Sequence, residues 1–117
     1  MLYIDKSSIH GLGLYSDTDI PDGYAIENVI PLTAGNSYYL RLDRNIFAKK
    51  INHSDSPNCE MYFHEDGIWL YANQDIHVGE ELTYHYMDDE RKHDNVGKYQ
   101  ELIEKMAHDL KVAILIF

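Results

Sequence analysis

The chain has 117 residues, 44% of them hydrophobic, with 20 Asp and Glu against 10 Lys and Arg and a formal net charge of −10 at pH 7. That length and apolar content suit one globular domain with a modest core, and exclude a disordered or fibrous chain. The acidic balance, with no dense stripe of Lys and Arg, excludes direct nucleic-acid binding by counterion release and favours a basic partner.

Taken in chain order, residues 1–6 read as a strand. Gly11-Leu12-Gly13 then supplies two positions without a Cβ, where a ligand or another backbone can come close. An ordinary turn between strands uses the same residues. A dinucleotide-binding loop does not fit, because Ser16 stands where its third glycine belongs and 19–23 reads as a turn instead of a helix. Asn52-His53-Ser54 and Pro57-Asn58 gather polar and turn-forming residues over 52–58. They form either an Asx-type turn with a solvated histidine, or a site where the Asn52 amide and the His53 ring and backbone meet a heteroaromatic ligand.

Residues 61–63 and 68–71 flank Glu65-Asp66-Gly67 as a β-hairpin. After the turn at Gly79, residues 81–86 form a further short strand with Leu82, Tyr84 and Tyr86 on one face. The two phenols either cover a core edge or aim hydroxyls at a substrate amine. Asp88-Asp89-Glu90 is an acidic turn that attracts a cationic peptide if it borders a cleft. A helix opens at Asp94 or Asn95 and runs through Val96, Tyr99, Leu102, Ile103, Met106 and Leu110 at spacings of three and four. The apolar tail 112–117 is a last strand or covers a neighbouring subunit. It is also the longest apolar run and far too short to span a bilayer, so the chain reads as soluble and intracellular, with its compartment left open. The expected class is mainly β with a C-terminal helix.

Cys59 is the only cysteine, which rules out an internal disulfide framework and a zinc site built from cysteines. The seven histidines show no HExxH motif and no pair at helical ligand spacing, so no metal site is expected. A GxSxG elbow for nucleophilic catalysis is also missing.

In order, His10-Gly-Leu-Gly-Leu-Tyr15, Ile20-Pro-Asp-Gly23 with Glu27, Ala48-Lys-Lys-Ile-Asn-His-Ser54 with Pro57-Asn58, and Gly79-Glu-Glu-Leu-Thr-Tyr-His-Tyr86 resemble the SET-domain family of protein lysine methyltransferases. The resemblance covers about residues 4–89. It makes 1–89 the domain core and 90–117 a helix and apolar tail that complete the domain or a dimer interface. It implies small β-sheets with a pseudoknot-like threading, an exception to the usual unthreaded topology.

The cofactor implied is S-adenosyl-L-methionine, held by Gly11, Leu12, Gly13, Asn52 and His53. Tyr86 matches the catalytic tyrosine, and Tyr84 falls where the family has Phe or Tyr. The implied chemistry is in-line displacement at the sulfonium methyl by a neutral lysine amine, with positioning supplying much of the rate. Tyr86 would orient amine and methyl, since a phenol with an ordinary pKa near 10 is a poor base at neutral pH. The extra hydroxyl of Tyr84 would narrow the site and favour low methylation states.

Lys49 stands where an Arg is common, Asn28 where many members carry an aromatic, and Met87 and His85 where Gly and Asp are common. The resemblance is to a minimal, free-standing member of virus or bacterium type, with a host-nuclear location if viral. Such members are dimers, so a homodimer is expected. The substrate implied is a basic protein segment such as a histone tail. The competing reading is a non-catalytic module on the same fold that binds a basic peptide.

Overall fold

The structure is a computed structural model that describes residues 1–35, 39–85, 105, 108 and 113–116, with 34–35, 39–40 and 113–116 described by their backbone. Strand β1 (Leu2–Lys6) pairs antiparallel with β2 (Leu12–Ser16), from Leu2 opposite Ser16 to Lys6 opposite Leu12. The connection is closed by Ser7 N–H donating to Gly11 O at 2.9 Å, while Ser7 Oγ accepts from the amides of Ile9 and His10. Gly11 therefore closes a turn between strands, while Leu12 and Gly13 lie within β2 and not in the loop.

Among the described residues the main sheet has five strands. Strand β3 (Ala25–Gly35) lies between β4 (Tyr39–Leu42) on one side and, on the other, the hairpin of β6 (Cys59–His64) and β7 (Gly67–Ala72). At 11 residues β3 is long enough to serve two partners: Ala25 to Pro31 run along β7, and Leu32 to Gly35 run along β4. Pro31, which has no N–H to donate, sits at the handover, and register shifts at Ala25/Glu27 and Asn28/Ile30 bend the strand before it.

The expected hairpin is present, with Phe63 opposite Ile68, His64 opposite Gly67 and Glu65-Asp66 as its turn. Its inward face carries Cys59, Met61, Ile68, Leu70 and Ala72, and its outward face carries Tyr62, Trp69 and Tyr71, as strand alternation requires. Gly67 has φ +147°, and a Cβ there would strike Asn28 Oδ1 and lie 2.6 Å from Ile30 O. Both backbone conformation and close approach hold that position to glycine.

Helix α1 (Ile46–Lys50) is not visible as apolar periodicity, because five residues make little more than one turn. Its signal is Asn45, whose Oδ1 accepts from the amides of Phe47 and Ala48 at 3.0 Å each. Asn45 is itself fixed by its own N–H donating to Val29 O and by Nδ2 donating to Asn28 O. The helix buries Ala48 and ends at Ile51, which delivers the chain into the core just before Asn52.

The apolar tail forms β9 (Ala113–Ile116), parallel to β4 with Tyr39 opposite Ala113 and Leu42 opposite Ile116. Of the two readings open for it, the last strand is the one formed. Of the expected helix over 94–110, Lys105 and His108 are helical and exposed, three residues apart and off the apolar stripe; the rest of that helix lies outside the described residues. Among the described residues no helix is long and apolar enough to cross a membrane.

Leu14, Ile30, Leu42, Ile68, Leu70, Ile76 and Leu82 form the fully buried centre, to which Cys59 belongs. Burial pushes the Cys59 thiol up to about 12, so at neutral pH it is an inert apolar group and not a nucleophile. The loops at one end are tied by reciprocal amide–carbonyl bonds between Ile20 and Ile76, both 2.8 Å.

Candidate functional site

The residues marked out by the sequence motifs meet where β1 and β2 approach two very short strands, β5 (Asn52–His53) and β8 (Thr83–Tyr84). These two pair in parallel, Asn52 opposite Thr83 and His53 opposite Tyr84, which joins the two motifs directly. The pair is extended by Ser54 N–H donating to Tyr84 O at 3.1 Å. Leu82 bridges to Leu14 of β2, its N–H donating to Leu14 O at 2.8 Å. The segment 82–84 is thereby held between β2 and β5.

At the centre of this junction stands the buried Asn52. Its Nδ2 lies 3.1 Å from Ser7 Oγ, 3.0 Å from both His10 O and Leu12 O, and 2.8 Å from Glu81 Oε2. Two N–H bonds are thus shared among four acceptors, which fixes which end of the amide is nitrogen. Glu81 receives further donors on its other oxygen: Ser7 Oγ donates to Oε1 at 2.6 Å, and the Tyr15 hydroxyl, which donates to Lys6 O at 2.7 Å, lies 3.4 Å away. Burial, and next the charge of Glu81, raise the Tyr15 phenol above its ordinary value, so it stays a proton donor.

This carboxylate also explains Gly13. A Cβ at that position would strike Glu81 Oε2, lie 2.7 Å from Glu81 Cδ and come within 3.1 Å of Ser7 Cβ. The glycine is required by close approach, as the sequence suggested, but the group that approaches is a side chain of the protein itself. Gly11 is required for a different reason, its φ of +48°, and has open space around it.

A second buried amide holds the other side of the segment. Asn58 Oδ1 accepts from Thr83 N–H at 2.9 Å and Asn58 Nδ2 donates to Glu81 O at 2.9 Å, so this side chain acts as one more peptide group in the ladder. In consequence Leu82, Thr83 and Tyr84 are all buried, although period-two alternation alone would leave Thr83 facing outward. Leu12 and Gly11 are exposed and His53 is part-exposed, its ring 2.8 Å from Asp55 Oδ1.

Of the expected site residues, the structure brings Gly11, Leu12, Gly13, Asn52, His53 and Tyr84 into one neighbourhood; Tyr86, and with it the threading beyond His85, lies outside the described residues. Asn58 and Glu81 stand within the quoted motifs without a role assigned to them, and Ser7 is not singled out by the sequence at all. Glu81 was legible in principle, since a glycine needed for close approach implies a bulky neighbour, but sequence alone does not say which.

A family model described as "SET domain" matches residues 32–87. Among curated proteins, the putative histone-lysine N-methyltransferase 1 of Plasmodium falciparum is 32% identical over 115 residues, covering 73% of this chain and 2% of that protein. The H3 lysine-4 specific histone-lysine N-methyltransferase of Schizosaccharomyces pombe is 30% identical over 115 residues, covering 73% of this chain and 12% of its own length. The chain therefore spans only a small part of these relatives. A solved structure of a putative histone methyltransferase from Plasmodium falciparum superposes with a TM-score of 0.59 at 26% identity, covering 73% of this chain and 96% of that one.

The packing of Glu81 against Gly13 makes a thermodynamic prediction. Gly13→Ala should destabilise the fold by about 1–3 kcal/mol, the usual cost of overpacking. In a urea-denaturation double-mutant cycle, much of that loss should disappear when Glu81 is already Ala, because the clash and the displaced Ser7 and Asn52 bonds share one cause. Strict additivity would show that Gly13 is needed for some other reason.

Proposed function

The chain belongs to the SET-domain family, and on that premise we propose that it is an S-adenosyl-L-methionine-dependent protein lysine N-methyltransferase acting on a basic protein segment such as a histone tail. The observation that carries this reading is the Asn52 junction, where Gly11, Leu12, Gly13, Asn52, His53 and Tyr84 share one neighbourhood. The residues present suit the cofactor. The carbonyls of His10 and Leu12 and the Glu81 carboxylate are already engaged by the Asn52 amide, so they fix the backbone beside the site, and a ligand would meet its solvent-facing edge. Gly11, Leu12 and His53 are reachable from solvent.

In this reading Gly11, Leu12, Gly13, Asn52 and His53 hold the cofactor, which when bound supplies an activated methyl group on a sulfonium. Tyr84 is only 7% exposed and lines the place of transfer, excluding water and narrowing the space around the amine. Tyr86 follows two residues on and orients the amine through its hydroxyl. The lysine must reach this place uncharged, although its ordinary pKa is near 10.4, so apolar walls have to disfavour the ammonium form. The excess of carboxylates draws in the basic segment from a distance.

Calorimetric titration of the purified chain with S-adenosyl-L-methionine should give saturable binding, weakened in Asn52→Ala and in His53→Ala. The second variant is the safer control, because Asn52→Ala also strips a donor from several acceptors and must first be shown to fold. A folded wild-type chain that does not bind would shift the weight to a non-catalytic module for basic peptides.

The hydroxyl at Tyr84 should bias the product toward low methylation states. Tyr84→Phe is expected to raise the share of di- and trimethylated product several-fold in mass spectra of a basic substrate, and an unchanged distribution would count against the assignment. The same family reading has the chain work as a homodimer. Light scattering at micromolar concentration should return twice the chain mass, and a monomer mass removes that element.

A further inference from the structure

The parallel pairing of β5 with β8 has an effect that no local spacing predicts. With His53 opposite Tyr84, the next residue, His85, is brought beside His53 from 32 positions away, and the two rings meet edge to face at 4.7 Å. Asp55 faces both: its Oδ1 lies 2.8 Å from His53 Nε2 and 3.8 Å from His85 Nε2. One ligand atom from each of the three residues can be chosen so that all lie within 4.8 Å of one another. We propose that His53, Asp55 and His85 form a binding site for a divalent transition ion of the Zn2+ type.

The donor chemistry selects the ion. Two imidazoles and one carboxylate suit borderline metals such as Zn2+, whereas Mg2+ and Ca2+ prefer oxygen donors throughout. Around a tetrahedral zinc, with ligand bonds of about 2.0–2.2 Å, neighbouring donors sit roughly 3.3 Å apart. The observed 2.8 and 3.8 Å from Asp55 bracket that value, and all three donors lie within 4.8 Å of one another, close to the spacing a bound ion needs.

The backbone is held on both sides of Asp55. Ser54 N–H donates to Tyr84 O, and Ser56 N–H donates to Ser54 Oγ at 3.0 Å. The carboxylate is 91% exposed and the His85 side chain 51% exposed, which leaves an open path for entry and a fourth coordination position for water. Binding would take the lone pairs of the two imidazole nitrogens and one carboxylate oxygen and release any protons they carry. Sequence spacing does not reveal this site, because His53 and Asp55 alone make only two ligands at a spacing of two residues. The third comes from the register of the β5–β8 pair. The inference does not depend on methyl transfer.

The test is a calorimetric titration of the full chain, stripped with chelator, with Zn2+ in a non-coordinating buffer. One saturable site is expected, with affinity reduced at least about tenfold in His85→Gln and in Asp55→Asn. His64→Gln, on the distant β6–β7 hairpin, should leave the affinity unchanged, and near-ultraviolet circular dichroism checks that each variant is folded. No saturable binding by the folded wild-type chain would overturn the proposal. Binding that persists at full affinity in His85→Gln would overturn it equally, by locating the ion at other histidines.

Discussion

A single primary amide carries the junction on which the candidate site depends. Asn52 Nδ2 reaches oxygens of Ser7, His10, Leu12 and Glu81, which lie 45, 42, 40 and 29 residues away along the chain. Each of these approaches closes a long loop, and a two-residue strand has little of its own to set against that entropy. The amide offsets it in one place because its donors are buried, where an unmatched acceptor costs about 1–3 kcal/mol. The β1–β2 turn, β5 and the approach to β8 are therefore one cooperative unit and not three independent loops.

The second half of that unit is Glu81 with Asn58. Glu81 contributes its carboxylate to the first amide and its carbonyl to the second, so its side chain and backbone face opposite clamps. Asn58 substitutes for a missing strand by offering a donor and an acceptor in peptide spacing. The result is a short stretch, Leu82 to Tyr84, buried on both faces although it forms only a two-residue ladder. A side chain such as Tyr84, placed on so constrained a backbone, has few alternative positions, which is the preorganisation that a site for group transfer requires.

Legibility in the sequence followed the range of the interactions. The β6–β7 hairpin was readable because its register is set by two turn residues and by alternation over six residues on each side. The tail was readable as a candidate last strand, but its place in the sheet was not, since nothing local names β4 as its partner. Helix α1 escaped because periodicity needs more than one turn, even though Asn45 announced a cap. At the site, the glycines and the Asn-His pair stood out with a role, whereas Asn58 and Glu81 stood in the motifs without one and Ser7 did not stand out. Ser7, Asn58 and Glu81 are common surface types, and only the three-dimensional convergence on Asn52 and β8 gives them a structural role.

The proposed chemistry places two opposite electrostatic demands on one small protein. Attraction of a basic segment acts on lysine as a cation, and an excess of ten carboxylates over basic groups favours it over distances of about a Debye length, 8 Å at physiological salt. Transfer to the amine acts on lysine as a neutral base, and a carboxylate beside the nitrogen would hold the proton on it. Both demands can be met only if the acids stay away from the amine. Glu81, the acid nearest the junction, is turned toward Ser7 and Asn52 and carries their hydrogen bonds, so its charge is spread over fixed donors. Tyr84 stands among apolar neighbours of the core cluster. In the proposed reading the same clamp that builds the junction thus keeps its one buried-side acid engaged, and the amine meets a phenol where a carboxylate would defeat the reaction.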